Sequence, residues 1–227
     1  ERFDMVVATG DNFGSLDAFD MVMDAYRPFL SYPGAFVLGS NDYYSPIPKP
    51  WTRYLMRSTP PPARVVPDLP YLPMVRQMRD AGWVDLSNAS GTLSLSGGTV
   101  SLLGTDDAHI FRDRGVAPAS SWEEPGALRL GITHAPYTRV VSALTSEGAD
   151  LILAGHTHGG QIGIPGMGAI ITNCDIARHY AKGLNRWEAP DGSQAWLHVS
   201  AGLGTSPHAK VRIATRPEAS LIHVHPA

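Results

Sequence analysis

Short apolar runs, each closed by glycine or a turn-forming polar residue, recur along this chain, and between several of them apolar residues return at helical spacing. That alternation predicts strands with covering helices. Residues 3–8 read as a buried strand, with Thr9, Gly10, Asp11 and Asn12 as a tight loop at its end. Leu16, Phe19, Val22, Met23 and Tyr26 predict a helix from an N-cap at Ser15 to about Phe29. Residues 32–38 give a turn and a second strand running into Gly39, Ser40, Asn41 and Asp42. Asp68 is the expected cap of a helix through Leu72, Val75 and Met78 that stops at Ala81 and Gly82. Strands follow at 83–86, 92–95 and 100–103, with a hairpin turn at Gly97 and Gly98. Residues 127–132, a helix through Val140, Val141 and Leu144, and the run 151–154 form a strand–helix–strand unit, expected as two parallel strands. A short helix near 177–183, a hairpin of 186–189 with 195–199 turning at Asp191 and Gly192, and a last strand at 221–224 complete the pattern. The fold class is therefore α/β, expected as a four-layer α-β-β-α sandwich of two mixed sheets with flanking helices, in a single domain over 1–227.

Composition narrows this. The chain has 227 residues, 43% hydrophobic and 17% charged, which suits one domain with a sizeable core or at most two small ones. A net charge of −3 carries no basic excess, so no electrostatic case for nucleic-acid binding exists. The single cysteine, Cys174, excludes an intrachain disulfide and is expected to be a small buried apolar residue. No apolar run is long enough to span a bilayer, and no signal peptide is visible. Strand-like sequence begins almost at Glu1, so an upstream segment is expected, and with it either a cytoplasmic or a membrane-associated location. Residues 45–67, rich in proline and arginine, read as a lid or substrate-side loop, with Tyr43, Tyr44, Arg53 and Arg57 as weak candidates for substrate contact.

The chemistry lies where strands end. Leu151, Ile152, Leu153 and Ala154 run into Gly155, His156, Thr157, His158, Gly159 and Gly160. Two histidines at i and i+2 in an extended loop face the same side and can meet one metal or two adjacent ones. His134 also lies just past a strand, as do Asp11 and Asn41. Taken singly, each has an ordinary turn or capping role. Together, oxygen and imidazole donors with no cysteine suit a dinuclear manganese, iron or zinc centre better than a structural zinc. Asp106, Asp107 and His109 form a further group, read as supporting or structural. Ser200 to Ser206 is glycine-rich but lacks the Lys-Ser/Thr ending of a phosphate-binding P-loop.

With Gly10-Asp11, His134-Ala135-Pro136 and Gly155-His156-Thr157-His158 in this order, the sequence resembles the calcineurin-like metallophosphoesterases. Through Gly160, Gln161 and the 200–205 loop it is similar to a bacterial branch often anchored to membranes by an N-terminal helix. The resemblance implies Asp11 as a bridging ligand, Asn41, His134 and His156 on one metal, and His158 on the other. It places the catalytic work on Asp11, Asn41, Asp42 and His134, with two divalent ions as cofactors. Two departures stand out. The family's D-x-H, which supplies ligands to the other metal, is absent before Gly10 and is expected upstream. The family's G-N-H-D reads Gly39-Ser40-Asn41-Asp42, which sets Asn41 at the usual histidine in an ungapped match. Asn41 is still the expected ligand, because serine is a poor neutral one. The general acid would then be a protonated Asp42, or His109 or His208.

The expected function is hydrolysis of a phosphodiester or phosphomonoester by a metal-bridging hydroxide. A small-molecule or lipid-headgroup phosphoester would be the substrate, with membrane contact through the upstream segment. The rival readings are a degenerate phosphoesterase fold used as a binding module, and a metal hydrolase of carbon esters or amides.

Overall fold

The computed structural model describes residues 3–46, 66–122, 127–165, 168–206 and 211–225. Strands β1 (Val6–Ala8), β2 (Gly34–Phe36) and β3 (Val84–Asp85) run parallel in one sheet, in the order β1-β2-β3. Strands β4 (Ser90–Leu95), β5 (Gly98–Gly104), β6 (Leu128–Ile132) and β7 (Leu151–Ala154) belong to a second sheet. So, after the short β-ribbon of β8 (Gly163–Ile164) and β9 (Gly168–Ala169), do β10 (Gly183–Glu188) and β11 (Gln194–Val199). The second sheet has the order β10-β11-β7-β6-β5-β4. Its four inner strands are parallel and its two edges are closed by antiparallel hairpins. The turns at Gly97 and Gly98 and at Asp191 and Gly192 make those hairpins. Parallel strands buried on both faces read as unbroken apolar runs, which is why Leu151 to Ala154 shows no alternation.

Period-two side chains sort the core into three clusters. Phe36 and Leu38 face helices α1 (Phe19–Tyr26) and, after the single-turn α2 (Ser40–Tyr43), α3 (Tyr71–Asp80), packing on Val22, Met23, Met74 and Met78. Their neighbours Ala35 and Val37 face the other way, onto Leu102, Leu130, Ile132 and Leu151 of the second sheet. The far side of that sheet, with Leu103, Ile152, Leu197 and Val199, is covered by Val140, Val141 and Leu144 of α4 (Thr138–Ser146). Each fully buried Leu, Ile or Phe contributes roughly 1.5–3 kcal/mol. A one-residue slip in β2 would turn Phe36 and Leu38 away from the helices.

Several elements differ from the sequence expectation. Helix α1 begins at Phe19, and Ser15 does not cap it; Ala18 is at the N-cap with no side-chain bond, and Gly14 to Asp17 form bends and turns. Asp68 does not cap α3 either. Its carboxylate takes the Ser45 N–H at 2.7 Å and hydroxyl at 2.8 Å, and so tethers the start of the Pro-rich segment. The predicted helix near 177–183 is a single 3-10 turn, Arg178–Tyr180. Residues 221–224 form no strand: Leu221 and Val224 are exposed, and Ile222 alone packs on the core between the sheets. Among the described residues no helix is long and apolar enough to cross a membrane. Loops at the carboxyl ends of β1, β2, β6 and β7 meet at one edge, joined by the hydrogen bonds described next.

Candidate metal centre

Asp42 builds the floor of the site. Its buried carboxylate accepts the Asp11 N–H at 2.9 Å and the Gly39 N–H at 2.8 Å on one oxygen. The other oxygen accepts the Asn12 main-chain N–H at 2.8 Å and side-chain amide at 3.0 Å. The loops after β1 and β2 are thereby tied to one side chain. Burial, followed by the charge of Asp11, pushes the Asp42 carboxyl up to about 6 despite these donors. Asp11 in turn accepts the Asn41 N–H at 2.7 Å and its amide Nδ2 at 2.9 Å. A side chain at Gly39 would force the two loops to shift: its Cβ would overlap the Asp11 carboxylate and lie 2.5 Å from His134 Cε1.

His134 and His156 complete a cluster. Ligating atoms of Asp11, His134 and His156 all lie within 4.8 Å of one another. His134 Nδ1 lies 2.6 Å from the Thr9 carbonyl, and His156 Nε2 lies 3.3 Å from the Asn173 carbonyl. A carbonyl only accepts, so each of those ring nitrogens carries the hydrogen. The other two nitrogens, His134 Nε2 and His156 Nδ1, then turn lone pairs toward each other at 3.2 Å, with Asp11 Oδ2 3.5 Å from the former. Such a convergence fits a cation, and carbonyls that fix the tautomer are the usual partners of metal-binding imidazoles. Without one, burial disfavours charge on both rings. The Asp11 charge outweighs burial at His134 and raises it to about 10. At His156 burial prevails, helped by His109 and His134, and holds it well below the usual histidine range. At Asp11, burial pushes upward, but the charge and hydrogen bond of His134 win and hold the carboxyl far below its ordinary range.

The backbone is also unusual here. Asp11, His156 and His158 all have positive φ, at 62°, 68° and 49°. Left-handed non-glycine residues cost energy and gather at functional sites.

His158 stands outside the three-donor cluster but lines the same cleft of about 280 Å³, with Asp11, Asn41, His156 and the 200–205 loop. The supporting group behaves differently from a metal site. Asp106 accepts the Tyr43 hydroxyl at 2.9 Å and Arg112 Nε at 3.1 Å. Asp107 accepts the His109 N–H at 2.8 Å. His109 rests its ring on His156, centroids 4.6 Å apart, with Nδ1 3.0 Å from the Tyr137 hydroxyl. Tyr43 and Tyr44 are buried core residues and do not face a substrate; Arg112 lies over the Tyr43 ring. Arg53, Arg57 and His208 lie outside the described residues. Cys174 is partly buried, and burial pushes its thiol up to about 11, which leaves no nucleophilic thiolate at neutral pH. Sequence reasoning missed the Thr9 and Asn173 carbonyls, which leave no trace in residue type, and Arg212, an arginine between two apolar residues with no motif around it.

A carboxylate and two imidazoles, with an amide beside them, gather beyond parallel strands of a layered α/β fold, and this donor set could hold a divalent metal. The family profile of calcineurin-like phosphoesterases matches residues 1–160, and the chain belongs to that family. It is 28% identical over 147 residues to the phosphodiesterase YaeI of Escherichia coli, covering 65% of this chain and 49% of that protein. It is 27% identical over 145 residues to YkoQ of Bacillus subtilis, described as an uncharacterized metallophosphoesterase, covering 63% of this chain and 50% of that one. The chain thus spans about half the length of these curated relatives.

Proposed function

We propose that this chain carries a metal-dependent phosphoesterase site that hydrolyses phosphodiesters with two divalent cations. The observation that carries the reading is the convergence of Asp11 Oδ2, His134 Nε2 and His156 Nδ1 on one point, with the far nitrogen of each ring turned to a main-chain carbonyl. Asp11, Asn41, His134 and His156 would hold one ion, and Asp11 and His158 would contribute to the other. When bound, the ions supply Lewis acidity toward a phosphoryl oxygen and an activated water. The chain's own groups do the positioning. Asp42 fixes the Asp11 loop through three main-chain N–H groups, and the Thr9 and Asn173 carbonyls hold both rings in the ligating tautomer. The name of the Escherichia coli relative, a phosphodiesterase, favours diesters over monoesters.

The test is hydrolysis of bis-p-nitrophenyl phosphate, p-nitrophenyl phosphate and p-nitrophenyl acetate by the full-length protein, with Mn²⁺ and with chelator. Turnover of the diester that chelator abolishes is the expected result. Turnover of the acetate alone points to a carbon-ester hydrolase. No turnover, with Mn²⁺ bound, leaves a binding module.

A further inference from the structure

Arg212 lies beyond the stretch matched by the family profile, yet its guanidinium is almost fully committed at the cleft. Nη1 donates to the His158 carbonyl at 3.2 Å. Nη2 donates to the Ala201 carbonyl at 2.7 Å and the Gly202 carbonyl at 3.0 Å. Nε donates to the Gly204 carbonyl at 2.9 Å, and Nη2 reaches the same oxygen. Its neighbours continue the seam. Ile213 exchanges main-chain bonds with Gln161 at 3.0 Å and Gly163 at 2.9 Å, and the Thr215 hydroxyl donates to the Gly159 carbonyl at 3.2 Å. Glu218 accepts the Ala201 N–H at 2.9 Å and donates its own N–H to Gly202 at 3.0 Å.

Arg212 thus ties the main chain that carries the His158 imidazole directly to the 201–204 loop. The rings of His134 and His156 are instead oriented by main-chain oxygens, those of Thr9 and Asn173. Gly204 sits in a loop of small residues, Gly202, Gly204 and Thr205, whose wall of the cleft is held from behind by one cation.

We propose that Arg212 is a positioning residue for this centre: through the His158 carbonyl it sets the main chain that carries the His158 imidazole, and through the Ala201, Gly202 and Gly204 carbonyls it fixes the opposite wall of the cleft. The inference rests on the reading that the cleft is a metal-dependent phosphoester site, and it makes Arg212 part of that site's support. A planar fork with five donors suits several carbonyls at once, whereas an ammonium is a point charge on a flexible stem. Lysine should therefore not replace it.

The experiment compares wild type, Arg212→Ala, Arg212→Lys and the exposed control Arg216→Gln in the full-length protein. Mn²⁺ binding is read by calorimetry, and bis-p-nitrophenyl phosphate hydrolysis is read with and without added guanidinium. Arg212→Ala should bind Mn²⁺ about 10–100-fold more weakly, as expected for loss of an outer-shell partner. Its kcat should fall more than its KM rises, guanidinium should restore part of it, and Arg212→Lys should resemble Arg212→Ala. Arg216→Gln should match wild type. If Arg212→Ala fails to fold, Arg212→Lys decides at matched melting temperature. Mn²⁺ affinity unchanged in Arg212→Lys and in any folded Arg212→Ala overturns the proposal, whatever the activity. Weakened Mn²⁺ binding together with a wild type that hydrolyses no phosphoester sustains the positioning role and overturns the phosphoester reading instead.

Discussion

His134 Nε2 lies 3.2 Å from His156 Nδ1, while the far nitrogen of each ring faces a main-chain carbonyl. With each carbonyl taking the N–H of a far nitrogen, the two near nitrogens need either a cation or a proton between them. His134 is the ring whose proton affinity is raised, because the Asp11 charge outweighs burial.

Metal and proton therefore compete for one position. Mn²⁺ binding near pH 7 should release roughly one proton. Calorimetry in buffers of different ionisation enthalpy measures this directly; a heat independent of buffer would rule out the shared position. His134→Asn or His156→Asn should weaken Mn²⁺ binding by about 100-fold or more, at least the cost of losing an outer-shell partner.

Gly39 tests the close approach of the two loops. Its φ of −112° suits any residue, so an added methyl brings no backbone strain. The obstacle is steric alone: the new Cβ would meet the Asp11 carboxylate and the His134 ring, both ends of the donor cluster. Gly39→Ala is expected to fold with a modest loss of stability, about 1–3 kcal/mol for overpacking, and to lose Mn²⁺ binding out of proportion to that loss. Binding equal to wild type would show that the loops can separate without moving the ligands.

Much of this was legible in the sequence because it rests on side-chain type and period. The apolar runs Leu151 to Ala154 and Ala35 to Leu38 announced strands, and the structure pairs β6 with β7 in parallel as the strand–helix–strand pattern requires. Asp11, Asn41, His134, His156 and His158 could be picked out because each follows an apolar run. What was not legible depends on backbone groups and on distant parts of the chain. Ser15 looked like a cap, yet the helix starts at Phe19. The carbonyls of Thr9, Asn173 and Gly204 are common to every residue, and Arg212 meets its partners across 54 residues from His158. Asp42 could be named as a functional carboxylate, but its four N–H donors come from two separate loops.

Asp42 should therefore matter for the architecture as much as for chemistry. Asp42→Ala removes the acceptor for the Asp11, Asn12 and Gly39 N–H groups at once. Leaving a buried donor unmet costs about 1–3 kcal/mol, so the variant should lose several kcal/mol in urea unfolding. Asp42→Asn keeps one acceptor oxygen and should lose less. Equal stability of Asp42→Ala and wild type would mean that the loops find other acceptors.

Asp107 gives a pH-dependent signature independent of catalysis. It is fully buried; one oxygen accepts the His109 N–H, and Oδ2 has no hydrogen-bond partner. Burial pushes its carboxyl up to about 7, with Asp11 and Asp106 pushing the same way against His134. The folded protein thus keeps this proton after the unfolded chain, at 3.8, has released it. The stabilising contribution is full below pH 3.8 and fades as pH rises through about 7. Asp107→Asn, which carries no titrating group there, should remove this slope. In chelator-treated protein its stability relative to wild type should increase between pH 4 and pH 8 by a few kcal/mol, since each pKa unit is worth about 1.4 kcal/mol. Urea unfolding of both proteins at those two pH values measures the difference. A difference that stays constant would show that Asp107 is ionised throughout, held by a positive partner, and that the neutral carboxyl described by the burial is not the form present.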